Sequence, residues 1–173
     1  GIGKVLFQVN HSKLPLKPVN LQGQPKLEFV KLFVHSSGLP KEVCKNILMG
    51  AKKEFEKLNL DFDFQEELDF SEANDTVGCG LDLIAFFEND QRIGVTELGK
   101  KGLNAFNLGQ NCVRKLAQEL NSQKQVDEHL ADQLIPFMAI AKDKSLIEVS
   151  KISKHTLTNI AVCEKLLGVK FNV

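Results

Sequence analysis

The sequence predicts a mixed α/β protein with helices layered on sheet (α+β layers), and three observations carry that prediction. Alternating apolar residues in "KLEFVKLFVHS" and the dense apolar run of "LDLIAFFEND" have the character of strands. Two longer stretches, "LPKEVCKNILMGAKKEFEKL" and "LNAFNLGQNCVRKLAQEL", repeat apolar residues at the three-to-four-residue period of helices. Beyond residue 125 the pattern runs helix, strand, helix, strand, which is one compact layer.

Taken in order, "GIGKVLFQV" sets Val5, Phe7 and Val9 on one face and reads as a half-buried strand. "KLPLKPVNLQGQPKL" breaks that regularity with three prolines and a Gln22-Gly23 turn, so a boundary is expected near residue 25. The first long helix opens on Pro40 and aligns Val43, Ile47, Ala51, Phe55 and Leu58. After it come alternation in "LDFDF", a polar break at "SEANDTVGCG", the apolar strand, an Asn89-Asp90 turn and a short strand at "RIGV". The second long helix places Leu108, Val113, Leu116 and Leu120 broadly on one side. In "QVDEHLADQLIPFMAIA", Val126, Leu130, Leu134, Phe137, Met138 and Ala141 recur at helical spacing. "SLIEVS" then reads as a short strand, "HTLTNIAVCEKLLG" as a helix ending at Gly168, and "VKFNV" as a last strand.

With 173 residues, 43% of them hydrophobic, the chain can bury a core for one ordinary domain or two small ones. The 22 basic and 22 acidic side chains cancel, so no global field draws in nucleic acid or an anionic membrane, and any RNA contact is local. No window resembles a membrane span and the first residues lack a signal-peptide pattern, which sets the expectation of a cytoplasmic protein with no membrane partner. Cys44, Cys79, Cys112 and Cys163 are widely spaced and without a C-x-x-C pair, so free and mostly buried thiols are expected.

Three stretches bear on chemistry. "GVTELGKK" has the two glycines and the lysine of a phosphate-binding loop at Gly94, Gly99 and Lys100, but Lys101 stands where a hydroxyl for magnesium is required. It reads as a solvated turn between strand and helix. In "VDEHLADQLIPF", His129, Asp132 and Gln133 fall at i, i+3 and i+4 and project together. Pro136, four residues beyond Asp132, cannot donate to its carbonyl, at a cost of about 3 kcal/mol in a helix interior. A kinked surface helix with ordinary polar residues accounts for this face as well as a binding site does. In "SKHTLTN", His155 stands at a helix start, where unpaired N–H groups and the positive dipole end favour a phosphate. An imidazole nitrogen there can attack phosphorus and form a phosphoramidate, with Thr156, Thr158 and Asn159 adding polar groups nearby. A histidine without a catalytic role fits the same position.

"DEHLADQLIPFMAIA" followed by "SKHTLTNIAVCEKLLGVKF" closely resembles, in both motifs, their order and their separation, the C-terminal region of the RNA 3'-terminal phosphate cyclases. "LPKEV", "GCGLDLIA" and "LGKKGLNAFNLGQNCVRKLAQEL" are similar to that family's inserted domain, and "GIGKVLFQV" with "LKPVNL" to the strand and connection before it. The resemblance covers nearly the whole chain but half of a typical member. It implies a large domain built from repeated layers of two helices on a four-stranded sheet, here residues 1–24 and 125–173, interrupted by a thioredoxin-like α/β insert at 25–124.

The resemblance further implies that His155 is adenylated by ATP, that AMP passes to an RNA 3'-phosphate, and that the neighbouring 2'-hydroxyl displaces it to give a 2',3'-cyclic phosphate. His129, Leu130, Ala131, Asp132 and Gln133 inherit nucleotide binding. Mg2+ is implied as the divalent metal, and no carboxylate cluster in the chain identifies its ligands. Phe106 replaces an acidic residue usual in the insert, away from the nucleotide motif. Expected partners are an RNA 3'-phosphate end and a missing N-terminal half of the cyclase fold, and the sequence is compatible with a homo-oligomer. The nearest alternative is a non-catalytic cyclase-like factor in ribosomal RNA processing, whose kind loses the histidine that His155 retains. A scaffold or RNA-binding module built on the insert is disfavoured by neutral charge and the lack of Trp and Tyr for base stacking.

Overall fold

The computed structural model describes residues 5–8, 10, 15–23, 25–71 and 76–173. In chain order the elements are β1 (Asn20–Leu21), β2 (Leu27–Ser37), α1 (Lys41–Lys57), β3 (Asp63–Ser71), β4 (Gly78–Phe87), β5 (Arg92–Leu98), α2 (Ala105–Asn121), α3 (Glu128–Ile140), β6 (Leu146–Ile147) and α4 (Lys154–Leu167). The mixed α/β class is therefore observed.

β2 explains the larger sheet. Its even positions Val30, Leu32 and Val34 are fully buried, while the odd positions between them are half-exposed, as a strand with one covered face requires. The sheet order is β3-β2-β4-β5, with β2 and β3 parallel and the other pairs antiparallel. A parallel pair cannot be joined by a tight turn, and α1 supplies the crossover. α1 and α2 cover the same face, seating Ile47, Ala51, Phe55, Leu108, Val113 and Leu116 on Leu81, Leu83 and Ile93. Each of the larger of these fully buried side chains, Val, Leu, Ile and Phe, contributes about 1.5–3 kcal/mol.

The two helices approach backbone to backbone at two glycines. A Cβ at Gly50 would lie 2.0 Å from the Phe106 carbonyl oxygen, and at Gly109 it would lie 2.1 Å from that of Ile47. Glu54 is buried between them and is clamped by Arg114 Nε at 2.8 Å and Nη2 at 3.1 Å, with Gln110 Nε2 at 2.8 Å.

A second group gathers the remaining elements. α3 packs on α4, and β1 pairs in parallel with β6, extended by bridges from Leu16 to Ala141 and from Val126 to Val149. Gln125 Nε2 donates to the Gln22 carbonyl, and Gln91 Nε2 donates to that of Gln125, so the start of α3 is tied to both groups.

Several expectations shift. Residues 1–4 and 9 of the first expected strand lie outside the described residues, and residues 5–8 form none, leaving Leu6 and Phe7 exposed. "VKFNV" is no strand either. The chain reverses at Gly168 (φ 68°), and the Phe171 N–H donates to Glu164 Oε1 at 2.9 Å, so the tail satisfies its backbone on α4. "LDFDF" only enters β3, and of the polar break residues 72–75 lie outside the described residues. The stripe expected on α3 is rotated: Ala131 and Ile135 are its buried residues, Phe137 faces out, and Val126 and Ala141 flank the helix. An apolar-rich helix offers more than one stripe, and packing against α4 selects among them. All four cysteines are free, with Cys44, Cys112 and Cys163 buried, and burial pushes the Cys112 thiol up to about 12.

Candidate active site

α4 begins where its sequence says it should. Ser153 is the N-cap, and its Oγ accepts from the Thr156 N–H at 3.1 Å and sits 3.0 Å from the Thr156 hydroxyl. The cap uses one of the first-turn donors. The N–H groups of Lys154 and His155 precede any helical acceptor and remain available. His155 is exposed in this first turn, beside Lys154, and the turn holds no acidic residue. Thr156, expected among the ligand-facing groups, is instead 4% exposed and serves the cap. The Thr158 hydroxyl donates to the Lys154 carbonyl at 2.8 Å.

α3 begins differently. Asp127 caps it, its Oδ1 accepting from the N–H groups of both His129 and Leu130 at 2.8 Å, and Glu128 follows in the first turn. The donors that could meet an anion there already hold a carboxylate. Of the two helix starts, electrostatics favour phosphate at α4.

Two contacts register the helices. Lys151 Nζ lies 2.8 Å from Glu128 Oε2, and Asn159 Nδ2 donates to the Asp132 carbonyl at 2.9 Å. The Lys151 hydrogen bond holds the Glu128 carboxyl below its ordinary range, and the same bond raises the Lys151 ammonium. His155 falls midway between Lys151 and Asn159, and both of those reach the 128–132 turn of α3. Within the 129–133 segment His129 and Gln133 are exposed, Leu130 and Asp132 half-buried, and Ala131 is fully buried as a packing residue. His129 Nε2 lies 3.9 Å from Glu128 Oε1.

The second contact was half legible. Pro136 announces a carbonyl without a helical donor at Asp132, and Asn159 is the group that supplies one. Lys151 and Lys154, the cations flanking His155, carry a sequence signal of their own in the basic spacing K-x-x-K-H at the start of α4.

Elsewhere, "GVTELGKK" is the end of β5 and the turn into α2, whose Gly99 N–H donates to the Cys79 carbonyl at 2.7 Å. A Cβ there would meet Cys79 Sγ at 2.6 Å, so this glycine serves packing. Among the described residues no group of three or more His, Cys, Asp or Glu side chains is placed to hold a metal ion. None of their helices is long and apolar enough to cross a membrane. Shallow concavities of about 440 Å³ beside His35 and Cys79, and about 430 Å³ along α1, lie away from His155.

The family model described as RNA 3'-terminal phosphate cyclase matches residues 1–173. A protein named RNA 3'-terminal phosphate cyclase from Korarchaeum cryptofilum is 30% identical over 171 residues, covering 99% of this chain and 48% of the relative. One of the same name from Methanothermobacter thermautotrophicus is 31% identical over 173 residues, 100% of this chain and 49% of the relative. A third, from Pyrococcus furiosus, is 32% identical over 140 residues, 80% of this chain and 39% of the relative. The chain therefore spans about half the length of the curated relatives it matches.

Proposed function

The chain belongs to the RNA 3'-terminal phosphate cyclase family, and from that premise we propose that it is the histidine-bearing part of an ATP-dependent RNA 3'-phosphate cyclase. The observation that carries this reading is the placement of His155: exposed, in an acid-free first turn with free N–H donors, and bracketed by two contacts to the 128–132 turn.

In the proposed sequence an imidazole nitrogen of His155 attacks the α-phosphorus of ATP. A P–N bond forms and pyrophosphate leaves. The Lys154 and His155 N–H groups, with the Lys154 ammonium group, receive the phosphoryl charge. An RNA 3'-phosphate oxygen then displaces the imidazole, taking AMP and leaving a mixed anhydride. Attack by the adjacent 2'-hydroxyl on the 3'-phosphorus closes the cyclic phosphate and expels AMP, with the hydroxyl proton lost to solvent or base. Splitting the transfer through histidine turns one difficult displacement into two easier ones.

His129 and Gln133, exposed one turn apart, are the side chains assigned to contact the nucleotide, with Asp132 and Leu130 beside them and Ala131 holding the helix in place. Mg2+ when bound would neutralise triphosphate charge. The described residues offer no ligand set for it, so no step is routed through the ion.

We further read residues 25–124 as the thioredoxin-like insert, and residues 1–24 and 125–173 as part of the repeat-built large domain. A complete RNA site then requires the N-terminal half that the relatives carry, in the same chain or as a separate one. A cytoplasmic location belongs to the same reading. The rival, a non-catalytic factor in ribosomal RNA processing, draws its support from the half-length match alone.

The test uses an RNA oligonucleotide ending in a 3'-phosphate, ATP and Mg2+, with the N-terminal half present. Conversion to a phosphatase-resistant 2',3'-cyclic end by the wild type, and its loss in His155→Asn, is the expected result. A protein that neither binds ATP nor alters the RNA end, yet co-purifies with preribosomal particles, would establish the rival.

A further inference from the structure

The His155 reading leaves open what holds the nucleophile helix in register with the nucleotide segment. Pro136 lies inside α3 and has no N–H, so the carbonyl of Asp132, four residues earlier, loses its helical donor. The side-chain amide of Asn159 supplies the replacement, Nδ2 to oxygen at 2.9 Å, from the neighbouring helix. A hydrogen bond that would have been internal to α3 has become one between α3 and α4. Asn159 is four residues after His155, so the two side chains occupy the same face of α4 one turn apart, about 6 Å along its axis.

We propose that Asn159 is a positioning residue: by capping the carbonyl that Pro136 strands, it locks the first turn of α4, with His155, against residues 129–133. The proposal rests on the adenylation reading of His155 and goes beyond it by assigning a role to both Pro136 and Asn159. It gives the interior proline of this helix a role. With an ordinary residue at 136 the Asp132 carbonyl would be satisfied within α3, and α4 could slide. With proline, the carbonyl is paired only when α4 is in one place. Asn159 itself touches no reacting atom in this scheme, because its amide faces the α3 backbone. A displacement of about 1 Å at a reacting centre costs on the order of a hundredfold in rate, so the lock need correct only a small slip.

The test is a double-mutant cycle on Pro136 and Asn159, with two readouts, the labelling readout taken with the N-terminal half present. The first is the folding equilibrium constant from denaturant titration. Asn159→Leu strands a part-buried carbonyl and lowers it roughly tenfold, and Pro136→Ala, which gives that carbonyl an N–H of its own, removes most of the loss. The second is the rate of label transfer from ATP carrying labelled α-phosphate, at saturating ATP and at a temperature where every variant is folded. It falls about a hundredfold in Asn159→Leu and stays low in Asn159→Leu/Pro136→Ala, with the KM for ATP shifted by no more than about twofold. Asn159→Asp, isosteric but without an N–H to give, behaves as Asn159→Leu.

Labelling that recovers along with stability in the double variant would reduce Asn159 to a helix cap and overturn the positioning role. Equal stability losses with proline or alanine at 136 would overturn the stranded-carbonyl explanation. If the wild type takes no label while the 136–159 coupling holds, the adenylation reading fails and the lock between the helices stands.

Discussion

Glu54 shows how a single side chain sets the behaviour of the larger sheet's helical cover. Its carboxylate is 1% exposed and meets Arg114 Nε at 2.8 Å, with Lys57 3.6 Å away. The hydrogen bond from Arg114 outweighs the opposing effect of burial and holds the carboxyl below its ordinary value of 4.5. A folded-state pKa below the unfolded one means that the unfolded chain binds the proton first as pH falls. The stabilisation is therefore complete above the unfolded carboxylate range and disappears as pH drops through the lowered folded value. Glu54→Gln should lower stability at neutral pH, where the charged pair contributes fully, and change it least below about 4.5, so that the acid limb of the stability-against-pH curve flattens, as denaturant midpoints would show. Arg114→Leu should lower the midpoint at pH 7 more than Glu54→Leu, because it leaves a carboxylate in the interior with part of its compensation gone.

At the scale of elements, the α1–α2 contact depends on the glycines that let the two backbones meet. Gly109→Ala places a methyl 2.1 Å from the Ile47 carbonyl oxygen and 2.7 Å from the Ala51 nitrogen, atoms that cannot swing aside. The helices must separate, at about 1–3 kcal/mol or more, measurable by denaturant unfolding. At α4, Ser153→Ala removes the cap on the Thr156 N–H and should cost about 1 kcal/mol.

These elements also show what sequence could and could not reveal. α1, α2, β2 and β4 have one buried face each, and the spacing of Val30, Leu32 and Val34 or of Ile47, Ala51 and Phe55 states it outright. α3 is apolar on most sides, so periodicity alone points to Leu134 and Phe137 where packing buries Ala131 and Ile135. The tail "VKFNV" has strand-like residues, yet Gly168 and Glu164 turn it back on α4. The site was legible as two motifs, and the contact between them was not. Asn159 and Asp132 are 27 residues apart, and only the missing N–H of Pro136 hinted that something had to reach across.

For the whole molecule, the smaller group of elements exposes several large apolar side chains. Phe137, Ile140, Leu146, Leu157, Leu166 and Leu167 are between 45% and 75% exposed along α3, β6 and α4. Single exposed apolar residues need no explanation, but this many in one small group of elements do. In the proposed reading the missing N-terminal half of the cyclase fold covers them. Accordingly, the 173-residue chain by itself should bind a hydrophobic dye and self-associate in light scattering, and adding that half should suppress both. A chain that stays monomeric and dye-silent alone would speak against a shared core.

The central claim concerns His155, and covalent labelling tests it most directly. With ATP labelled at the α-phosphate, Mg2+ and the N-terminal half, the wild type should acquire an acid-labile, alkali-stable label, as a phosphoramidate does. Mass spectrometry should locate it on the peptide containing His155, and His155→Asn should take none. Label of equal extent on His155→Asn, or label located on any other residue of the wild type, would contradict the account.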